Sequence, residues 1–132
     1  MERTVWEWMK RCPVKPAQRL EAGFLPVGGG LALLTAEPER RTKRFILGGC
    51  EAAYTFALVY RLAAATTEER LQADETLDNM GAWAEERENW PELGEGVKVL
   101  SVRCDEAAKL VDRYENDLED HRILITLTYE RI

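Results

Sequence analysis

The chain has 132 residues, 45% hydrophobic and 32% charged, with a formal net charge of -6. That length predicts one domain, residues 1–132, with room for one core and none for a separate catalytic unit. No apolar run approaches the roughly 18–20 residues needed to span a bilayer, so no membrane partner is expected. The start, Met1-Glu2-Arg3-Thr4-Val5, lacks the basic-then-apolar order of a secretory signal and points to the cytosol.

The charge is unevenly spread. Residues 1–66 hold 10 Lys and Arg against 6 Asp and Glu, whereas residues 67–132 hold 8 against 18. A chain with two signs can pair with copies of itself or with an oppositely charged neighbour, while duplex DNA is disfavoured overall. The compact basic cluster is Arg40, Arg41, Lys43 and Arg44.

Residues 2–11 predict a short helix, closed by Cys12-Pro13 because the residue before proline is pushed out of the α region. Val5, Trp6 and Met9 mark its inner side. Trp8 is read as lying round from them, covering an edge or a partner.

Residues 13–29 are punctuated by proline and glycine. Phe24-Leu25-Pro26-Val27 fits one short extended piece over the sheet. Gly28-Gly29-Gly30 lacks the lysine and hydroxyl of a Walker loop, so a turn is expected rather than a phosphate cradle. Leu31 to Ala36 predicts the first strand. A polar connection over residues 37–42 then leads to a strand from Arg44 to Leu47, with Gly48-Gly49 as a bulge or bend.

The best candidate for a central strand follows. Tyr54, Phe56, Leu58 and Tyr60 alternate with Thr55, Ala57, Val59 and Arg61, so four large side chains on one face can cover a helix. Thr66 then caps a helix from Thr67 to about Glu88, with Glu69 as its capping-box partner. Leu71, Leu77, Met80, Trp83 and Ala84 form its apolar stripe. Gly81 within it implies close approach to the sheet. The pair Asp74 and Asp78 is read as a solvated or partner-facing flank, with no histidine beside it.

Asn89 to Gly96 ends the helix, with Trp90 and Leu93 folding back on it. Val97 to Arg103 reads as a strand. Residues 104–117 fit either a helix, through Glu106, Ala107, Leu110, Val111 and Tyr114, or a strand, through Leu110, Asp112 and Tyr114. Asn116-Asp117 and Glu119-Asp120 supply turn residues. His121 to Arg131 closes the chain as a strand whose natural neighbour is the Tyr54–Arg61 strand. The fold class expected is α+β: a mixed or mainly antiparallel sheet against one long central helix and a short N-terminal helix.

No catalytic pattern emerges. His121 stands without a serine elbow, cysteine partner or acid cluster at a recognisable spacing. Cys12, Cys50 and Cys104 are too far apart for a zinc or redox motif, and Cys50 and Cys104 are read as small core hydrophobes. A non-enzymatic chain without cofactor or metal is expected. What remains is an interaction surface, with Arg40, Arg41, Lys43, Arg44, Trp8, Trp90, Asp117, Glu119 and Asp120 as its candidate residues.

Several stretches together resemble the small minor capsid or tail-completion proteins of long-tailed bacteriophages and prophages, of the tail terminator (head–tail joining) type. They are Val5-Trp6-Glu7-Trp8-Met9, the arginine-aromatic stretch before Gly48-Gly49, Tyr54 to Arg61, Thr76 to Trp83, Pro91-Glu92-Leu93 and Ile125 to Glu130. The resemblance spans about Val5 to Ile132 and rests on order and spacing. It implies a helix-flanked sheet and a cofactor-free virion protein. Six copies would form a ring at the head-proximal end of the tail tube, between tube protein and head connector, with possible passive contact with DNA in a lumen. It places the protein in the virion tail, and in the bacterial cytoplasm during assembly. The alternative is a non-catalytic cytosolic adaptor or regulatory protein-binding module.

Overall fold

The computed structural model describes residues 1–16, 19–46 and 48–132. Ala17 and Gln18, within the proline- and glycine-punctuated stretch, and Leu47, the expected end of a strand, lie outside the described residues. The element order is α1 (Glu2–Met9), β1 (Leu20–Ala22), β2 (Gly30–Arg44), β3 (Cys50–Ala63), α2 (Thr67–Glu85), a 3-10 turn at Arg87–Asn89, β4 (Val97–Arg113) and β5 (Leu118–Arg131). The strands form one sheet in the order β1-β2-β3-β5-β4, antiparallel except for the β1–β2 pair. This is an α+β fold with both helices packed on a mixed, mostly antiparallel sheet.

The alternation in β3 decides where the core sits. Tyr54, Phe56 and Leu58 are buried with Val5, Trp8 and Met9 of α1 and Leu77, Met80 and Ala84 of α2. From β5, Ile123, Ile125, Leu127 and Tyr129 complete the same layer. Residue for residue, β3 pairs with β5 from Cys50↔Arg131 to Ala63↔Leu118 without a register shift, so the strand in the middle of the sheet meets a neighbour with matching faces. On the other face Thr55, Ala57 and Val59 are buried as well, and the Thr55 and Thr126 hydroxyls meet at 2.8 Å.

The start of α2 follows its capping box. Glu69 N–H donates to Thr66 Oγ1 at 3.2 Å, and the Glu69 carboxylate accepts from Ala65 N–H at 3.1 Å. Thr66→Ala is expected to cost about 1 kcal/mol, readable as a lower urea midpoint at unchanged slope; an unchanged midpoint would mean that the cap contributes nothing. Gly81 stands where an added Cβ would lie 3.3 Å from Cys104 Sγ and 3.4 Å from Ile123 Cδ1, so the helix does approach the sheet there. The helix ends three residues short of the expected Glu88, and Leu71, placed on its apolar stripe, is exposed.

Two further expectations need correction, and two alternatives left open are decided. Residues 37–42 are not a connection: β2 runs unbroken from Gly30 to Arg44, and of the two readings of Gly48-Gly49 the bend leading into β3 is the one found. The bulges lie in β2 itself, between Thr35 and Glu37, Glu37 and Arg40, and Arg41 and Lys43. Phe24 to Val27 forms no strand; the edge piece is Leu20–Ala22, and Phe24 and Val27 are exposed. Residues 104–113 are strand, continuing β4 to 17 residues with four register shifts. Asp117, at φ 64°, makes the turn into β5, a conformation that aspartate tolerates better than most residues. Among the described residues no helix is long and apolar enough to cross a membrane.

Candidate interaction surface

Two charged regions sit at opposite ends of β3. The first is an arm made by the outer half of β2 and its turn. Every described residue from Thr35 to Ile46 is exposed. Beyond Leu33, β2 has no strand neighbour on its outer side among the described residues, because β1 covers only Leu31 to Leu33. Arg40, Arg41, Lys43 and Arg44 are therefore brought together on an edge strand, with Phe45 and the fully exposed Ile46 at the tip. Pro38 and the three bulges disfavour adding a strand to this edge. Its side chains, rather than its backbone, are what it offers.

The arm's own ion pairs are loose. Arg40 lies 3.9 Å from Glu37 and Lys43 3.8 Å from Glu51. Arg41 and Arg44 have no ion pair among the described residues. Close to the arm's base, Arg131 reaches Glu39 at 3.2 Å.

The second region, at the other end of β3, is polar and inward. Glu119 is 1% exposed. It accepts from Arg70 Nε at 2.8 Å and Arg113 Nη2 at 2.7 Å, and meets His121 Nε2 at 3.2 Å. Burial alone would raise the Glu119 carboxyl; the hydrogen bonds from Arg113, Arg70 and His121 outweigh it and bring it down to about 2. His121 Nδ1 lies 2.7 Å from Asp74 Oδ1. On the opposite face Arg61 holds Asp120 through two hydrogen bonds, at 2.8 and 3.0 Å, and Tyr114 O–H donates to the same carboxylate at 2.7 Å.

These contacts sort the residues expected on the surface. The four cations of the arm and Asp117 are exposed. Glu119 and Asp120 are buried and paired within the chain, because they belong to β5 rather than to the turn before it. Trp8 is in the core, edge-on to Phe56 and against Trp83, its indole N–H donating to Asn89 O at 2.7 Å. The i, i+3 spacing puts Trp8 only about 60° from Val5 on the helix, so it faces inward. Half-buried Trp90 folds back on the end of α2, donating to Glu85 O at 3.1 Å with Arg87 over its ring.

The acidic flank of α2 is also less free than expected. Asp74 holds His121, and Asp78 Oδ1 accepts from Ala108 N–H at 2.7 Å. The histidine missing from Asp74's surroundings in sequence comes from 47 residues away. Its signal was the placing of His121 in phase with Ile123, Ile125 and Leu127. Of the two cysteines read as core, Cys104 is half-buried and packs against the core, while Cys50 is half-buried at the start of β3; Cys12 is buried. Burial, and then the carboxylates of Glu85, Asp78 and Asp105, push the Cys104 thiol up to about 11. Among the described residues no group of three His, Cys, Asp or Glu side chains is placed to hold a metal ion.

No family model matches the chain. No curated protein matches it either. Its fold is similar to that of a chain in the solved structure of the virion of a native gene transfer agent particle. The TM-score is 0.66 at 15% identity, over 98% of this chain and 94% of that one. At that identity the likeness is one of fold.

Proposed function

We propose that this protein is a structural component of a phage-like virion, without catalytic activity. In the finer form of this reading it caps the tail tube as a ring of six copies and presents a surface to the head connector. The observation that carries the reading is the likeness of fold, end to end in both chains, to a chain of a gene transfer agent virion. The charged surfaces support it further. A closed ring is built from head-to-tail contacts between two different patches, and one end of this sheet offers a cationic arm while the start of α2 offers exposed carboxylates that have no ion pair among the described residues. The ring assembles in the bacterial cytoplasm and ends in the virion tail. Arg40, Arg41, Lys43 and Arg44 then serve a subunit contact or the lumen where DNA passes, and Asp117 and Trp90 contact the neighbouring tube or connector protein.

The test is the oligomeric state of the purified chain by light scattering over a concentration series, with and without tail-tube protein. A closed ring, alone or on addition of tube ends, is expected. A monomer at every concentration that ignores the tube would overturn the terminator reading and favour an adaptor.

A further inference from the structure

The β2–β3 arm ends in two exposed apolar side chains, Phe45 and Ile46, beside two arginines, Arg41 and Arg44, that have no ion pair among the described residues. Ordering a dozen exposed residues costs about 1 kcal/mol or more of backbone entropy each, with little burial in the free chain to offset it. At the far end of the same strand lies a groove of about 330 Å³ between α2 and β3, where Pro16, Tyr60, Leu62 and Ala73 are joined by the polar side chains of Glu69, Gln72 and Thr76. Glu68 and Glu75 stand on the adjacent stripe of α2, about 90–110° round from the groove's centre at 100° per residue. All three glutamates are exposed, and none has an ion pair among the described residues.

Tip and groove are complementary in charge: the tip's two apolar side chains are flanked by cations, and the groove, of mixed polar and apolar lining, carries carboxylates. They cannot meet within one chain. Arg44 at the arm pairs with Cys50, and Tyr60 at the groove is ten residues further along β3, about 33 Å away in an extended strand. We propose that the arm of one copy docks its Phe45–Ile46 tip in the α2–β3 groove of the next copy, with Arg41 and Arg44 placed against Glu68, Glu69 and Glu75. This contact is heterologous, so it propagates head to tail and closes where the rotation between copies permits. It rests on the ring reading above and names the two surfaces that make the ring.

Charge reversal tests it with four proteins. One variant reverses the arm (Arg41→Glu with Arg44→Glu), one the groove (Glu68→Lys with Glu75→Lys), and one carries all four changes. Each reversed surface meets a like-charged partner in its own copies, so each two-site variant is expected to need at least about tenfold more protein to assemble. An equimolar mixture of the two should assemble again, with the variants alternating round an even-numbered ring, and the four-site variant should assemble alone. Thermal unfolding of each variant checks that the fold is intact. If both two-site variants assemble as the wild type does, or if the mixture and the four-site variant stay defective while folded, the docking is wrong and the ring reading survives. If the wild type does not assemble even with tube protein, the ring reading fails and the docking with it.

Discussion

Glu119→Gln is expected to lower stability by about 3 kcal/mol at pH 7, the scale for breaking one side of a buried ionic cluster. The carboxylate is 1% exposed and takes hydrogen bonds from Arg70, Arg113 and His121. Glutamine keeps the shape, removes the charge and presents an amide N–H₂ to cationic donors. Both arginines are partly exposed and can turn to water, which holds the loss to the lower part of the range for such clusters. His121 cannot, since it is buried between Glu119 and Asp74.

The pH dependence of that difference is specific. The folded-state carboxyl of Glu119 is lowered to about 2 from an ordinary value of 4.5. A depressed acid contributes stability that is fully present above about pH 4.5 and lost as pH falls towards 2. Protonated glutamic acid closely matches glutamine in shape and charge. The gap between wild type and Glu119→Gln, taken from urea unfolding at a series of pH values, should therefore shrink steadily as pH falls below 4.5. A gap that does not change between pH 7 and 3 would show that the effect is one of packing and not of charge.

The elements that were legible in sequence share one property: their local pattern agrees with their environment. β3 and β5 alternate large and small or polar residues because one face meets the helices, and α2 begins where Thr66 and Glu69 can satisfy each other's backbone. β2 and β4 were illegible over half their length for the same physical reason. Both are edge strands there: residues 37–44 and 109–113 are exposed and carry no burial pattern to read, and over residues 104–108 the alternation reaches only half-burial. In β4 the four register shifts also break the period of two, which is why Glu106, Ala107, Leu110, Val111 and Tyr114 mimic a helix. At the candidate site, the cationic run was visible as a run, but its projection on an arm depends on β1 being only three residues long. The phase of His121 with Ile123, Ile125 and Leu127 tells only that it faces inward; its meeting with Asp74 depends on the packing of α2 across β5.

Trp8 carries the second large effect, because its position reverses what its neighbours in sequence suggested. Its ring sits between Phe56 of β3 and Trp83 of α2, and its indole N–H donates to Asn89 O just past the end of α2. One side chain thus ties α1, the sheet and the end of the long helix together. Trp8→Ala removes a buried ring from the core and leaves the half-buried Asn89 carbonyl without its donor, so a loss of about 3–5 kcal/mol is expected. Trp8→Phe keeps most of the ring contact and isolates the hydrogen bond, at about 1–2 kcal/mol. Trp90→Ala is the control from the half-buried end of the helix and should cost about 1 kcal/mol, consistent with partial burial. Chemical denaturation of the three variants separates the possibilities. If Trp8→Ala were no worse than Trp90→Ala, α1 would be a detachable flap, and Trp8 would return to the set of residues free to meet a partner. With the expected order, α1 is part of the core, and the surfaces left for assembly are the cationic arm, the groove beside α2 and the turn at Asp117.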